Sequence, residues 1–456
     1  MTGIIPQPKE VEALAGLWRP DAEHRLILAA PVADQARLSA ELCRITRLQP
    51  QQIRVEESRD SGVTVRSEKL AAPAPTGAWF ENPQGYRLAV STSGLLLQSK
   101  SSAGAFHGLQ TLRQLARADA FLACEVRDWP SLNFRGAHLF TSASGVEWHQ
   151  RMVRDVFARF KLNAVVVQCE SARWNVAPEI AAPNSATLAG LQRLVGECRE
   201  TYLEPIPLIN LPGHAGWVFR NGRNLQLAED GDALFAVCVR HPEVWPYVER
   251  VLEEARQVFR PRTFHLGMDE ITLRGKFPSK SCPRCKDSDT ATLLSEYLAQ
   301  ASGWCRRHGV TPMLWGDMFL SPDEASDAGH APNRRESARR REAIPPEALI
   351  ADWQYGVNDR YQSVDVFSAA RVIGSTWHKP KNIHRFSNYL VERGARGLLQ
   401  TTWCGHFPDQ NVLRSEMRQF SAFVLAAEYA WSGRTEAPDD LPYKPAAEFL
   451  AAMGPG

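Results

Sequence analysis

"TFHLGMDEIT", residues 263 to 272, sets a strand-like apolar run directly before two adjacent carboxylates, Asp269 and Glu270. Ionised groups at the end of a buried run are costly unless they are paired or put to use. Adjacent side chains of a regular strand point to opposite faces. Asp269 and Glu270 can therefore enter one pocket only where the strand ends and the chain turns, and Gly267 permits close backbone approach just before that point. Two carboxylates sharing a low-dielectric site split their pKa values, leaving an anion beside a general acid, which is what cleavage of a glycosidic bond requires. The alternative reading has Asp269 capping the next helix and Glu270 pairing with an arginine.

Similar runs recur on both sides of this one. They are "FRGAHLF" (134 to 140), "NAVVVQ" (163 to 168), "PIPLINL" (205 to 211), "TFHLGM" (263 to 268), "TPMLWG" (311 to 316), "LIADWQ" (349 to 354), "RVIGST" (371 to 376) and "GLLQTTW" (397 to 403). Eight short apolar strands, most separated by amphipathic helices such as "HQRMVRDVFARFK" and "TLLSEYLAQASGWCRRH", predict an α/β fold, a (β/α)8 TIM barrel. The fifth linking segment, 321 to 346, is polar and rich in Pro, Asp and Arg, so its helix is expected to be short or displaced.

Upstream, "YRLAVSTSGLLLQSK" (86 to 100) alternates around a Ser-Gly turn, a hairpin signature. "AGAFHGLQTLRQLARA" (103 to 118) places Phe106, Leu109, Leu112 and Leu115 on one helical stripe. These segments predict a small α+β domain, closed by the proline-containing "RDWPSLNF" (127 to 134). The expected division is an α+β domain at 1 to 128, the barrel at 129 to 435 and a C-terminal tail at 436 to 456.

In such barrels the C-terminal ends of the strands carry the chemistry. Asp269 and Glu270 end strand four, Trp315 and Asp317 end strand five, Trp353 ends strand six with Tyr355 beside it, Trp377 follows strand seven, and Trp403 ends strand eight. Four tryptophans around one rim suit a stacking wall for the flat apolar face of a pyranose ring. The competing reading is that some of these indoles fill the barrel mouth as core.

Composition narrows the classes of partner. With 456 residues, 44% hydrophobic and 23% charged, the chain reads as globular, and a net charge of +2 is too slight for a nucleic-acid or membrane-surface partner. The N-terminus shows no basic segment followed by an apolar one, no window approaches a membrane span, and the nine scattered cysteines read as reduced thiols. A cytoplasmic location is expected. Cys282-Pro-Arg-Cys285 followed by Cys305-Arg-Arg-His308 has spacing close to a zinc site. A helix expected over 290 to 308 would separate the halves by roughly 27 Å. No shared ion is expected, and a metal would need Cys282 and Cys285 to find ligands elsewhere; no metal or cofactor is assigned. "RRESARRRE" (334 to 342), with five arginines and two glutamates, reads as a solvated helix face, with contact to anionic glycan substituents such as sulfate as the alternative.

Several segments, taken in order, resemble the family 20 glycoside hydrolases, the β-N-acetylhexosaminidases, over nearly the whole chain. "IIPQPKEV" and the 86 to 115 region look like the family's N-terminal domain, "VRDWPSLNFRGAHL" like its approach to the barrel and "KLNAVVV" like its second strand. "LINLPGHA" looks like the segment that brings His214 to the site, "FHLGMDE" is similar to the family's Asp-Glu signature, and "LWGDM" to strand five of its hexosaminidase D-like branch. The resemblance implies a substrate-assisted retaining mechanism. Glu270 would protonate the leaving oxygen, Asp269 would hold the 2-acetamido N–H, and His214 would orient the pair. The implied partner is a small-molecule or oligosaccharide substrate with a terminal 2-acetamido sugar.

The chain departs from the family pattern among the residues that read sugar hydroxyls. Ala143 stands where the family has an arginine, Gln168 where it has a histidine, and Ser171 and Ala172 where it has aspartates. Glu170, Arg173 and Trp174 lie nearby as candidate substitutes, and Asp409 is the carboxylate nearest to a missing strand-eight glutamate. Such losses leave open a catalytically silent carbohydrate-binding protein on the same barrel, and the oligomeric state is open too.

Overall fold

Eight parallel strands close into a barrel at the positions of the eight apolar runs: Phe134–Phe140, Ala164–Gln168, Glu204–Leu211, Thr263–Gly267, Thr311–Trp315, Leu349–Trp353, Val372–Thr376 and Gly397–Gln400. The last strand pairs with the first, Leu399 opposite Gly136, which completes the ring. The computed structural model describes residues 3–58, 62–273, 276–404 and 410–454.

Side-chain alternation divides each strand between two cores. Val166, Leu208, Met313, Ala351, Ile373 and Leu399 fill the barrel interior. Their neighbours, such as Val165, Val167 and Leu314, pack outward with the helices. Those helices start where short polar side chains satisfy free N–H groups: Thr187 accepts from Gly190 N–H ahead of Leu188–Glu200, and Asp289 from Thr292 N–H ahead of Thr290–Arg307.

The fifth linking helix is short, as its polar sequence predicts, and spans Arg334–Arg341. It is not simply a solvated face. Arg340 is 3% exposed and donates to Met318 O at 2.9 Å, while Arg341 donates to Phe319 O at 2.8 Å and pairs with Glu324. These guanidiniums satisfy carbonyls of the turn after strand five, a use that helical periodicity cannot reveal.

The N-terminal region is a mostly antiparallel sheet covered by Val32–Thr46 and Ser102–Leu115. Its hairpin is the one read from sequence, with Ser91 opposite Gly94, and Phe106, Leu109, Leu112 and Leu115 are all buried. The segment read as a tail carries a helix, Pro445–Met453, whose Phe449 ring lies 5.9 Å from Phe420.

Asp128 joins the sheet to the barrel. Its Oδ2 accepts from Tyr86 OH at 2.7 Å, Lys161 Nζ at 2.9 Å and Trp431 Nε1 at 2.9 Å, and Lys9 N–H donates to Oδ1. Both Asp128 and Lys161 side chains are fully buried. Lys161→Ala would leave an unpaired buried carboxylate and should cost about 3–5 kcal/mol in urea denaturation. Adding Asp128→Asn should restore part of that loss, and a cost below about 1 kcal/mol for the single variant would contradict this role.

Candidate active site

Strand four ends in a left-handed turn. Gly267 has φ 74°, Met268 φ 76° and Glu270 φ 49°, so the alternation of the strand is broken before the carboxylates. A Cβ on Gly267 would lie 2.4 Å from Asn210 Oδ1 and 2.6 Å from Asn210 Cα, and one on Gly213 would lie 2.9 Å from Ile271 Cα. Glycine at both positions lets the ends of strands three and four approach.

His214, itself at φ 49°, comes from the strand-three side. Its Nε2 lies 3.2 Å from Glu270 Oε2 and 3.5 Å from Asp269 Oδ2, so one imidazole faces both carboxylates. Asp317, 1% exposed, holds the turn from strand five: its Oδ2 accepts Glu270 N–H at 2.8 Å and pairs with His330 Nδ1 at 2.8 Å, while Oδ1 accepts Trp353 Nε1 at 3.2 Å.

This arrangement separates the charges. Burial pushes the Asp269 carboxyl up to about 7; His214 opposes the shift, and the charges of Asp317 and Glu270 add to it. Burial disfavours charge on His214, but its hydrogen bond to Glu270 and the charges of Asp269, Glu270 and Asp317 prevail and raise it to about 9. Asp269 Oδ1 is buried and, among the described residues, has no hydrogen-bond partner. It is an acceptor for which the described residues supply no donor.

The aromatic rim is assembled and locked. Trp353 stacks on Tyr355 at 5.2 Å, and Tyr355 lies 5.6 Å from Trp377. Trp403 Nε1 donates to Tyr355 OH at 3.1 Å, and Trp377 Nε1 to Gln419 Oε1 at 2.8 Å. Trp353, Tyr355, Trp377 and Trp403 are half-buried. Trp315 differs: it is 1% exposed, 6.2 Å from Trp403, and belongs to the barrel-interior core as the floor beneath this wall.

Glu170 occupies another side. It is 8% exposed and accepts from Gln168 Nε2 at 2.6 Å, while Gln168 Oε1 meets His138 Nε2 at 3.0 Å. Burial pushes Glu170 up to about 7, opposed by the Gln168 amide and by the charges of His214 and Arg220. The other two candidate substitutes turn away: Arg173 donates to Ser185 O and Pro183 O, and Trp174 is buried at 1% exposure. Asp409 lies outside the described residues.

Sequence reading missed His330, Arg220 and Gln419. His330 sits in the polar segment after strand five, Arg220 reaches Ser171 Oγ at 3.1 Å from the strand-three loop, and Gln419 lies in the first turn of the helix Met417–Ser432, which is buried nearly all round. None lies in a patterned segment, so only proximity in space identifies them.

A (β/α)8 barrel with a carboxylate pair at its C-terminal rim, walled by indoles, defines a glycoside hydrolase. Profile comparison agrees: "Glycosyl hydrolase family 20, domain 2" matches residues 1–129 and "Glycosyl hydrolase family 20, catalytic domain" residues 119–433. The chain belongs to glycosyl hydrolase family 20. It is similar to a beta-hexosaminidase of Akkermansia muciniphila, 23% identical over 406 residues, covering 76% of this chain and 79% of that protein. In fold it is similar to the β-N-acetylhexosaminidase of Streptomyces coelicolor, with TM-score 0.71, 19% identity and coverage of 99% and 96%. It is also similar to a mutant Streptomyces plicatus beta-hexosaminidase in complex with product GlcNAc, with TM-score 0.69, 18% identity and coverage of 99% and 95%.

Gly267→Ala tests the turn. A side chain there meets Asn210 backbone in a left-handed conformation, so stability should fall by about 1–3 kcal/mol in denaturant titration. An unchanged midpoint would show that the turn tolerates a Cβ.

Proposed function

We propose that this protein is an exo-acting β-N-acetylhexosaminidase that releases terminal β-linked GlcNAc or GalNAc with retention, the substrate's own 2-acetamido group serving as nucleophile. The observation that carries this reading is the buried Asp269 Oδ1 beside Glu270, which has no hydrogen-bond partner among the described residues. An amide N–H on the C2 substituent, adjacent to the glycosidic centre, would satisfy that acceptor. The GlcNAc product complex of the Streptomyces plicatus relative supports the same class of sugar.

In the first step Glu270 gives its proton to the glycosidic oxygen as the C1–O bond breaks. The acetamido carbonyl oxygen bonds to C1 from the opposite face. Asp269, ionised, accepts the acetamido N–H and stabilises the positive charge of the oxazolinium-like intermediate. Glu270, now a carboxylate, then takes a proton from water, whose oxygen attacks C1 and restores the acetamide. The hydrogen bond from His214 keeps Glu270 oriented through both steps. Adjacent residues thus serve adjacent atoms of one sugar.

Glu270→Gln and Asp269→Asn should each lower turnover of a p-nitrophenyl β-N-acetylhexosaminide by about two to four orders of magnitude with the fold retained. An N-acetyl thiazoline should compete with substrate. Equal turnover of glycosides lacking the amide would sink the proposal. Asp269 stays protonated below about 7, so kcat/KM should rise through that pH as its carboxylate forms. The acidic limb should vanish in Asp269→Asn.

The altered hydroxyl-reading residues point to a sugar bound differently from ordinary GlcNAc, with GalNAc or a substituted GlcNAc as candidates. Glu170 and Arg220 are the polar groups available near the lost positions. Comparing rates on p-nitrophenyl β-GlcNAc and β-GalNAc tests this, and a strong GlcNAc preference would count against it.

A further inference from the structure

We propose that Cys238, Cys282, Cys285 and Glu229 form a structural zinc site that ties the hairpin after barrel strand three to the segment after strand four. One ligand atom from each of the four lies within 4.8 Å of every other, and all four residues are buried. Cys238 Sγ is 3.5 Å from Cys282 Sγ and 3.6 Å from Cys285 Sγ. Tetrahedral zinc with Zn–S bonds of about 2.3 Å sets its sulfurs about 3.8 Å apart, whereas a disulfide needs about 2.0 Å. The spacing suits an ion between the thiols.

The carboxylate is the second, independent observation. Glu229 is 2% exposed; its Oε1 accepts Ser279 N–H at 2.9 Å, while its buried Oε2 has no N–H partner among the described residues, and the carboxylate acts on the Cys285 thiol. Among the described residues no cation forms an ion pair with this carboxylate, and a divalent cation would supply the missing charge. Three sulfurs select zinc over calcium or magnesium, which take oxygen ligands. Arg240 reinforces the charge balance from outside, since it holds Arg284 O at 3.2 Å and its charge acts on Cys285 and Cys238.

A cavity of about 370 Å³ bordered by Glu229, Cys238 and Cys282 offers a path for the ion. Cys305, which follows the same pattern in sequence, is buried elsewhere at the far end of Thr290–Arg307. The partners of Cys282 and Cys285 come instead from the hairpin Ala228–Asp230 and Ala233–Val237 and the residue just after it.

That hairpin also carries Phe235, whose ring packs edge-on at 4.9 Å against His214. The ion would therefore fasten the support of His214 to the segment that continues from Asp269 and Glu270. Asp230 already links the two pieces through Ser279 Oγ at 2.6 Å and Lys276 Nζ at 3.2 Å.

Protein expressed with supplementary zinc and dialysed against metal-free buffer should contain about one zinc per chain by elemental mass spectrometry. Cobalt(II) in its place should give thiolate-to-cobalt charge-transfer absorption and the visible bands of a tetrahedral site. Cys282→Ser combined with Cys285→Ser should abolish both signals, and Glu229→Gln should weaken zinc retention. Should the cysteine variants fail to fold, mercurial titration of the wild type decides, with zinc released as thiols are modified. Wild-type protein with less than about a tenth of an equivalent of zinc and no cobalt bands would overturn the proposal, as would a disulfide among the three cysteines.

Discussion

Glu270 donates its backbone N–H to Asp317 after the neighbouring strand five, and that bond fastens a left-handed turn that an extended strand would not adopt. Without the turn, Asp269 and Glu270 would face opposite sides of the sheet. Everything at the rim follows from holding it: His214 can meet both carboxylates, and Trp353 and His330 take their positions from the same aspartate. The strain of positive φ at Met268 and Glu270 is local, whereas the contacts that enforce it come from neighbouring strands.

The electrostatic character of the site is a consequence of this geometry. Three carboxylates, Asp269, Glu270 and Asp317, lie close together with two imidazoles between and beside them. Burial favours the neutral form of Asp269, while the surrounding anions favour the charged form of His214. The aromatic wall stands opposite with its polar tips already occupied, so its rings are held in place before any sugar arrives. Trp315 illustrates how rim position and function part company: it ends a strand like the others, yet its ring closes the barrel interior.

Support for this arrangement comes from outside the rim. Arg340 and Arg341 satisfy carbonyls of the turn that presents Asp317, although their segment reads as a charged surface helix. Phe235 backs His214 from a hairpin whose base meets the cysteine cluster. The loops that carry the chemistry are thus braced by residues remote in sequence, which is what a positioned site requires.

The number and order of the barrel strands were legible because short apolar runs and intervening helical stripes depend on near neighbours alone. The same holds for the hairpin at 86 to 99 and for the acid pair, which stands at a strand end as a contiguous motif. What could not be read was which side chains meet. His330, Arg220 and Gln419 reach the site from segments without pattern, Arg173 and Trp174 turn away from it, and Cys282 and Cys285 find Cys238 rather than Cys305. Local order along the chain was set by short-range sterics and hydrophobic spacing. Convergence in space was decided by closure of the barrel, which brings residues dozens of positions apart within hydrogen-bond distance.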